Sequence, residues 1–280
     1  MDKTIQAKKA ALLKNLHHGP KILVMANAWD VISARIVEEI GFPAVATTSA
    51  GIAAALGYPD GQRVSRDEML DVVSRIARAV QVPVSADMES GYGATPEKMA
   101  ETARALIEAG AVGLNLEDIT GDDESSQVEL GLQLEKIIAI REASDAAGVP
   151  LVINARTDIY LMPIGPQETR FERTVERFRG YAKAGADCVF APAVRDSETI
   201  AKLVKAVEAP LNTLLMSGAP NLNELEKLGV ARASIGSGLM RASLGTARSV
   251  AKAMFERRDS EAIFAEAVPY AEVNHLLGRN

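Results

Sequence analysis

The sequence predicts an α/β protein folded as a (β/α)8 TIM-type barrel, on three grounds: the number of strand-like runs, the residues that punctuate them, and the composition. Short runs rich in β-branched residues recur eight times, at 21–27, 43–48, 82–87, 111–117, 150–156, 187–192, 210–216 and 231–236. Segments of helical spacing separate them, and strict alternation over eight units is the pattern of a parallel sheet closing on itself. An open doubly wound sheet is the competing architecture.

Taken in order, "KILVMAN" opens the series. "PAVATT", "AVGLNLE", "DCVFAP" and "ARASIG" each follow a glycine that can close a helix, at Gly41, Gly110, Gly185 and Gly229. "VPVSAD", "PLVINAR" and "PLNTLLM" instead begin at Pro83, Pro150 and Pro210. Glycine suits the left-handed residue just past a helix end, and proline suits the start of a strand, where its missing donor matters least. In "RDEMLDVVSRIARAV", Met69, Val72, Val73, Ile76 and Val80 recur near i, i+3, i+4, i+7 and i+11, which predicts an amphipathic helix.

Composition agrees with one large aliphatic core. The 280 residues match the usual size of this barrel, and a 48% hydrophobic fraction with only 4% aromatics suits layered packing of Val, Ile, Leu and Ala. The whole chain, 1–280, reads as one barrel domain, with 257–280 as a C-terminal helical extension beyond the eighth unit. Thirty-one basic and 37 acidic residues give a net charge of −6, without a basic stripe interleaved with aromatics, so nucleic acid is not an expected partner. The single Cys188 excludes an intrachain disulfide and fits a reducing compartment. The N-terminal stretch is charged throughout, and no apolar run approaches the length of a membrane span. The expected location is cytoplasmic.

In such a barrel the C-terminal strand ends converge on one face, where sites are built. Those ends supply Thr48, Ser49 and Ala50, with Asp60 further along the loop, then Asp87 and Glu89, Glu117 and Asp118, and Asn154, Arg156 and Asp158. Alternation along a strand predicts that Asp87 and Glu89 share the inward phase, as do Asn115 with Glu117 and Asn154 with Arg156. Several carboxylates in one dry cavity repel one another, and a hard divalent ion relieves that conflict. Mg2+ is the expected ion, with Mn2+ as its substitute. Arg156 can grip a carboxylate bidentately, and the N–H groups of the 48–50 turn can hold another end of the same molecule. Cys188, inside a strand, reads as a small buried hydrophobe. His17, His18 and His275 lie away from the strand ends.

The stretches "NAWDVISARIVEEIGFPAVATTSAGIAAALGYPDG", "VPVSADMESGYG", "AGAVGLNLED" and "INARTD" resemble the isocitrate lyase/phosphoenolpyruvate mutase superfamily, over about residues 20 to 245. The resemblance implies a Mg2+ site surrounded by Asp87 with Asp60, Glu89 and Glu117, directly or through water. It implies that Arg156 and the Thr48-Ser49-Ala50 turn bind the substrate's carboxylate or enolate oxygens. It further implies a homotetramer with a C-terminal helix exchanged between paired subunits.

The chain also departs from that family. The isocitrate and methylisocitrate lyases carry a Cys and a His in the loop after strand four, and the mutases a Lys and an Asn. Here that loop reads "ITGDDESSQVELG", and "FAPAV" stands where the mutases have a histidine after strand six. The expected activity is therefore a Mg2+-dependent lyase or decarboxylase cleaving a C–C bond in a small 2-oxo or 2-hydroxy carboxylic acid through an enolate, with Arg156, Thr48, Ser49 and Tyr92 at the reacting centre. Asn154 and Asp60 join the substrate contacts. The alternatives are an isomerase or hydrolase acting on the P–C bond of a phosphonate (a phosphonomutase or phosphonopyruvate hydrolase), and a barrel that binds metal and oxyacid without turnover.

Overall fold

Eight parallel strands close edge to edge in chain order in the computed structural model, which describes residues 2–120, 123–162, 164–265 and 267–278. They are β1 (Leu23–Ala28), β2 (Val45–Thr47), β3 (Val84–Asp87), β4 (Gly113–Glu117), β5 (Val152–Arg156), β6 (Cys188–Phe190), β7 (Leu211–Leu214) and β8 (Arg232–Ser234), and β8 returns to β1. Each falls on one of the eight runs read from the sequence, β1 passing the end of its run by one residue at Ala28. The closed barrel therefore prevails over the open sheet, and no edge strand is left to pair elsewhere.

The punctuation works as read. Gly41, Gly110 and Gly185 are left-handed C-caps, and Gly229 takes a positive φ one residue beyond its helix. The helix Arg66–Ala79 starts with a reciprocal Ser65–Glu68 capping box and buries Met69, Val73 and Ile76 against the barrel. Outward-facing residues of the strands, such as Ala86, Leu114, Leu116, Ala155 and Val189, meet the helices in one continuous apolar layer.

Two elements were not anticipated. The charged N-terminal stretch forms the helix Lys3–Leu16, whose Ala10 and Leu13 are buried, while Gln6 Nε2 donates to the Ile107 and Ala111 carbonyls at 2.8 and 2.9 Å. A Cβ on Gly113 would run into Leu13 and the Val152 carbonyl, so this helix seats directly on the N-terminal end of the barrel. After β4 a short antiparallel hairpin pairs Ile119–Thr120 with Asp123–Gln127. Beyond the barrel run the helices Gly238–Arg257 and Tyr270–Leu277, the latter lying against the helix Val31–Ile40 of the same chain. Among the described residues no helix is long and apolar enough to cross a membrane.

Candidate active site

The interior of this barrel is polar where most are aliphatic. One cavity of about 280 Å³ opens at the C-terminal face and is lined by Thr48, Ser49, Ala50, Asp60, Asp87, Glu89, Glu117, Asn154 and Arg156. The residues selected from the strand ends thus come together. Tyr92 stands behind them and donates its hydroxyl to Glu89 Oε1 at 3.2 Å.

Asp87, the last residue of β3, is the hub. Ser49 donates to its Oδ2 twice, from N–H at 3.0 Å and from the hydroxyl at 2.8 Å, while Asn115 Nδ2 donates to Oδ1 at 2.9 Å. Asn154 Nδ2 in turn donates to Asn115 Oδ1 at 2.9 Å, which makes a ladder across β3, β4 and β5. The N–H groups at 48–50 are partly committed: Thr48 N donates to the Ala28 carbonyl, and Ser49 N to Asp87. Thr48 is the N-cap of the helix Ser49–Leu56, its hydroxyl accepting from Gly51 N at 3.3 Å.

Glu89 reaches the cavity by a different route from the one alternation suggested. The strand ends at Asp87, and Glu89 has φ 50°, Gly91 φ 91° and Tyr92 φ 58°. A left-handed turn, rather than strand phase, aims its carboxylate inward. Met88 between them is fully buried, as expected of a side chain facing the helices. A Cβ on Gly91 would collide with the Met99 thioether unless that side chain moved, and its φ of 91° already favours glycine. Gln62, also at positive φ, accepts from Ser90 N at 3.2 Å and from Ser90 Oγ at 2.6 Å, which ties the Asp60 loop to the same turn.

On the other wall, Arg156 contacts Glu117 closely and places Nη2 2.7 Å from Asp158 Oδ1, with the guanidinium over the Phe190 ring at 5.8 Å. Burial opposes its charge, but Glu117, Asp158 and Asp87 outweigh burial and hold it more firmly protonated than usual. Burial pushes the Glu117 carboxyl well up; Arg156 pulls it back, and Asp158, Asp87 and Glu89 add to the rise. Glu89 is pushed up to about 7, by burial first and then by Asp87 and Asp60.

Asp118 turns away from the cavity into the fold. It accepts from Tyr181 Oη at 2.8 Å and Gln127 Nε2 at 2.7 Å and pairs with Arg177 at 3.1 Å, while its own carbonyl accepts from Val128 N at 2.7 Å. It anchors the base of the hairpin beside the cavity, and Ile119 and Thr120 line the opening. Cys188 is buried, its thiol pushed up by burial to about 12, as fits a packing residue. His17 is buried under the barrel with its pKa lowered by burial to about 4, so it is neutral and remote from the chemistry. Among the described residues no histidine lines the cavity. The "IGSG" turn after β8 spends the N–H groups of Ile235 and Gly236 on Asn27 Oδ1, each at 3.0 Å.

A divalent cation fits this donor set. The raised carboxyls show several acids acting on one another in one dry space, which is the conflict a cation relieves. Among the described residues no three His, Cys, Asp or Glu side chains converge tightly enough to ligate one ion directly. A hard ion such as Mg2+, which keeps several of its waters, is the kind that suits that looser arrangement, and Asp87, Asp60, Glu89 and Glu117 are the residues that would hold it.

Fold and site together define a (β/α)8 barrel with an acidic, arginine-walled mouth for a small anion. The phosphoenolpyruvate phosphomutase profile matches residues 13–255, and the chain belongs to that family. Its relatives include an uncharacterised protein of Mycobacterium tuberculosis strain H37Rv, 35% identical over 94% of this chain and 95% of the other. Oxaloacetate decarboxylase 2 of Pseudomonas fluorescens strain Pf0-1 is 34% identical over 75% of this chain and 71% of its own. A candidate lyase/mutase from Burkholderia cenocepacia J2315 superposes with a TM-score of 0.91 at 37% identity, covering 98% of this chain and 97% of that one.

Proposed function

We propose that the protein is a Mg2+-dependent C–C lyase or decarboxylase acting on a small 2-oxo or 2-hydroxy dicarboxylic acid, with oxaloacetate as the first substrate to test. The observation that carries this is the cavity itself: acids to hold a cation, one arginine wall, and no histidine or reactive thiol among its described lining residues. Decarboxylation of a 2-oxo acid needs no base to begin. The C3–C4 bond breaks, its electron pair moves into a C2–C3 double bond as charge passes to the carbonyl oxygen, and CO2 departs. When bound, the cation supplies Lewis-acid stabilisation of that oxygen. Arg156 fixes the carboxylate next to the carbonyl, the 48–50 turn orients the opposite side, and Asn154 with Asn115 keeps Asp87 aimed at the centre. Tyr92, whose hydroxyl is hydrogen-bonded to Glu89, is the candidate to relay a proton through that carboxyl to the carbon left by CO2. The oxaloacetate decarboxylase relative supports the reading.

A second reading rests on the lyase/mutase of B. cenocepacia: P–C bond chemistry on a phosphonopyruvate-like substrate. Pro192 lines the cavity near the end of β6, where that chemistry would place its histidine. We infer also a homo-oligomer, since Phe255, Phe264 and Tyr270 expose apolar side chains on the C-terminal segment that a neighbouring subunit would cover.

One NMR time course with Mg2+ tests both reactions, following proton and phosphorus signals with oxaloacetate, 2-methylisocitrate, 2,3-dimethylmalate and phosphonopyruvate, against Asp87→Ala. Pyruvate released from a carboxylate and lost in the variant supports the lyase. A moving phosphorus resonance overturns it in favour of P–C chemistry.

A further inference from the structure

The strand ends do not exhaust the charge in the cavity. Arg232 opens β8, at the opposite end of its strand from the mouth, yet it lines the same cavity as Asp87 and Arg156. The geometry of the sheet accounts for this. Arg156 is in register with Phe190, Phe190 with Asn212, and Asn212 with Arg232, so one row passes from the end of β5 to the start of β8. Because barrel strands are tilted and staggered, such a row descends from mouth to floor.

Arg232 is 3% exposed, and its Nε and Nη1 have no hydrogen-bond partner. Among the described residues no acid forms a salt bridge with it, and Asp87 supports its charge only at longer range. Cys188, its neighbour, stays a neutral thiol, and burial works to lower the arginine's own pKa. Two more buried polar atoms of cavity-lining residues are unpartnered: Ser85 Oγ and Asn154 Oδ1. A buried guanidinium without a counter-ion is among the costliest arrangements a protein can hold, and a site that needs an anion is one that makes it worthwhile. The contrast with Arg156 fixes where that anion belongs, since Arg156 already has two carboxylates.

We propose that Arg232, with the Ser85 hydroxyl, forms a floor subsite for the distal carboxylate of a dianionic substrate, whose other end sits at the mouth between Arg156 and the acids. This deepens the functional reading above and rests on it, because it names the residue that recognises the second carboxylate of the dicarboxylate proposed for the same cavity. In oxaloacetate that distal carboxylate is the one lost as CO2, so Arg232 is then the residue that selects and orients the departing group.

Malate and lactate differ only in the distal carboxylate, so their binding isolates this subsite without turnover. Calorimetry of the intact protein with Mg2+ should show malate binding about tenfold or more tighter than lactate, as expected for a bidentate guanidinium contact. Arg232→Gln should bring the two within about twofold while leaving lactate unchanged, and Arg232→Lys should keep part of the preference. A malate preference that survives in Arg232→Gln overturns the proposal, as does parallel loss of both ligands or a wild type that prefers neither. If the glutamine variant does not fold, Arg232→Met carries the test by the same criterion. Because binding is read directly, a protein that fails to decarboxylate oxaloacetate yet shows Arg232-dependent malate binding refutes the reaction and keeps the subsite.

Discussion

Arg156 and Arg232 share one register row and one cavity, yet they have opposite surroundings. Arg156 is bracketed by Glu117 and Asp158 and stacked on Phe190, whereas Arg232 is buried with two of its nitrogens unpartnered. The comparison teaches that a charge at the mouth is placed by neighbours already in the protein, while the charge on the floor waits for a ligand. The acids that bracket Arg156 aim it at the mouth, where it can still meet a substrate carboxylate, whereas Arg232 has donors that nothing in the protein engages.

The largest effect that sharpens the contrast belongs to the mouth. Asp87→Asn keeps the hydrogen bond acceptor for Ser49 but removes the charge proposed to hold the cation. A Lewis acid stabilises the reacting oxygen by several kcal/mol, so turnover should fall by about 10³-fold, as it should on chelation of the wild type with EDTA. A pyruvate-coupled assay reads both. Activity that survives both treatments would mean the acids do not serve a cation.

Stability should separate the two arginines directly. Arg156→Met leaves Glu117 and Asp158 buried without their counter-charge, which costs about 3–5 kcal/mol. Arg232→Met removes a charge that has no partner to lose, so without ligand it should be neutral or stabilising. Urea unfolding in metal-free buffer measures both, and a large destabilisation at Arg232 would show that it is paired in solution after all.

The pH dependence comes next in size. Glu89 is raised to about 7 from 4.5, so between those values the metal-free folded protein binds a proton the unfolded chain has released. Stability from this group is therefore present at low pH and is lost as pH rises through about 7. The amount is on the order of a few kcal/mol. Mg2+ needs the ionised carboxylate, so the thermal stabilisation it gives should grow as pH rises towards 7 and level off above. Glu89→Gln should flatten the metal-free slope. Melting curves at several pH values, with and without Mg2+, test this, and a Mg2+ effect independent of pH would remove Glu89 from the site.

How far these features were legible in the sequence follows from the same contrast. Alternating strand and helix signals, with Gly at helix ends and Pro at strand starts, are local, so all eight strands could be read directly. Residues at strand ends announce themselves because acids and Arg156 stand out after apolar runs. Arg232 escaped because it opens a strand, and only the stagger of the closed sheet carries it into the cavity. Its signal was there: a cation in the inward phase of "VARASIG", two residues before Ser234 and among small residues. Glu89 lines the cavity for a reason other than the one expected, since alternation cannot describe a turn with left-handed residues at 89, 91 and 92. The hairpin at 119–127 depends on Asp118, Gln127 and Tyr181 meeting across a long sequence separation, which no local pattern encodes.

The smallest effect asks whether that turn is needed for its shape alone. Gly91 has φ 91°, and a methyl group there meets both the Met99 sulfur and Leu116. Gly91→Ala should therefore cost about 1–3 kcal/mol, part from the left-handed backbone and part from overpacking. Gly57 has a similar φ of 87° with nothing within 4 Å of a built Cβ, so Gly57→Ala carries only the backbone part. The difference between the two variants in urea unfolding isolates the contact with Met99. Trimming that contact in a Gly91→Ala/Met99→Ala double variant should recover less than the full loss, because Met99 is itself fully buried core. Equal costs at Gly91 and Gly57 would mean that Met99 yields freely, and the turn that aims Glu89 at the cavity would then be held by its backbone geometry rather than by packing beneath it.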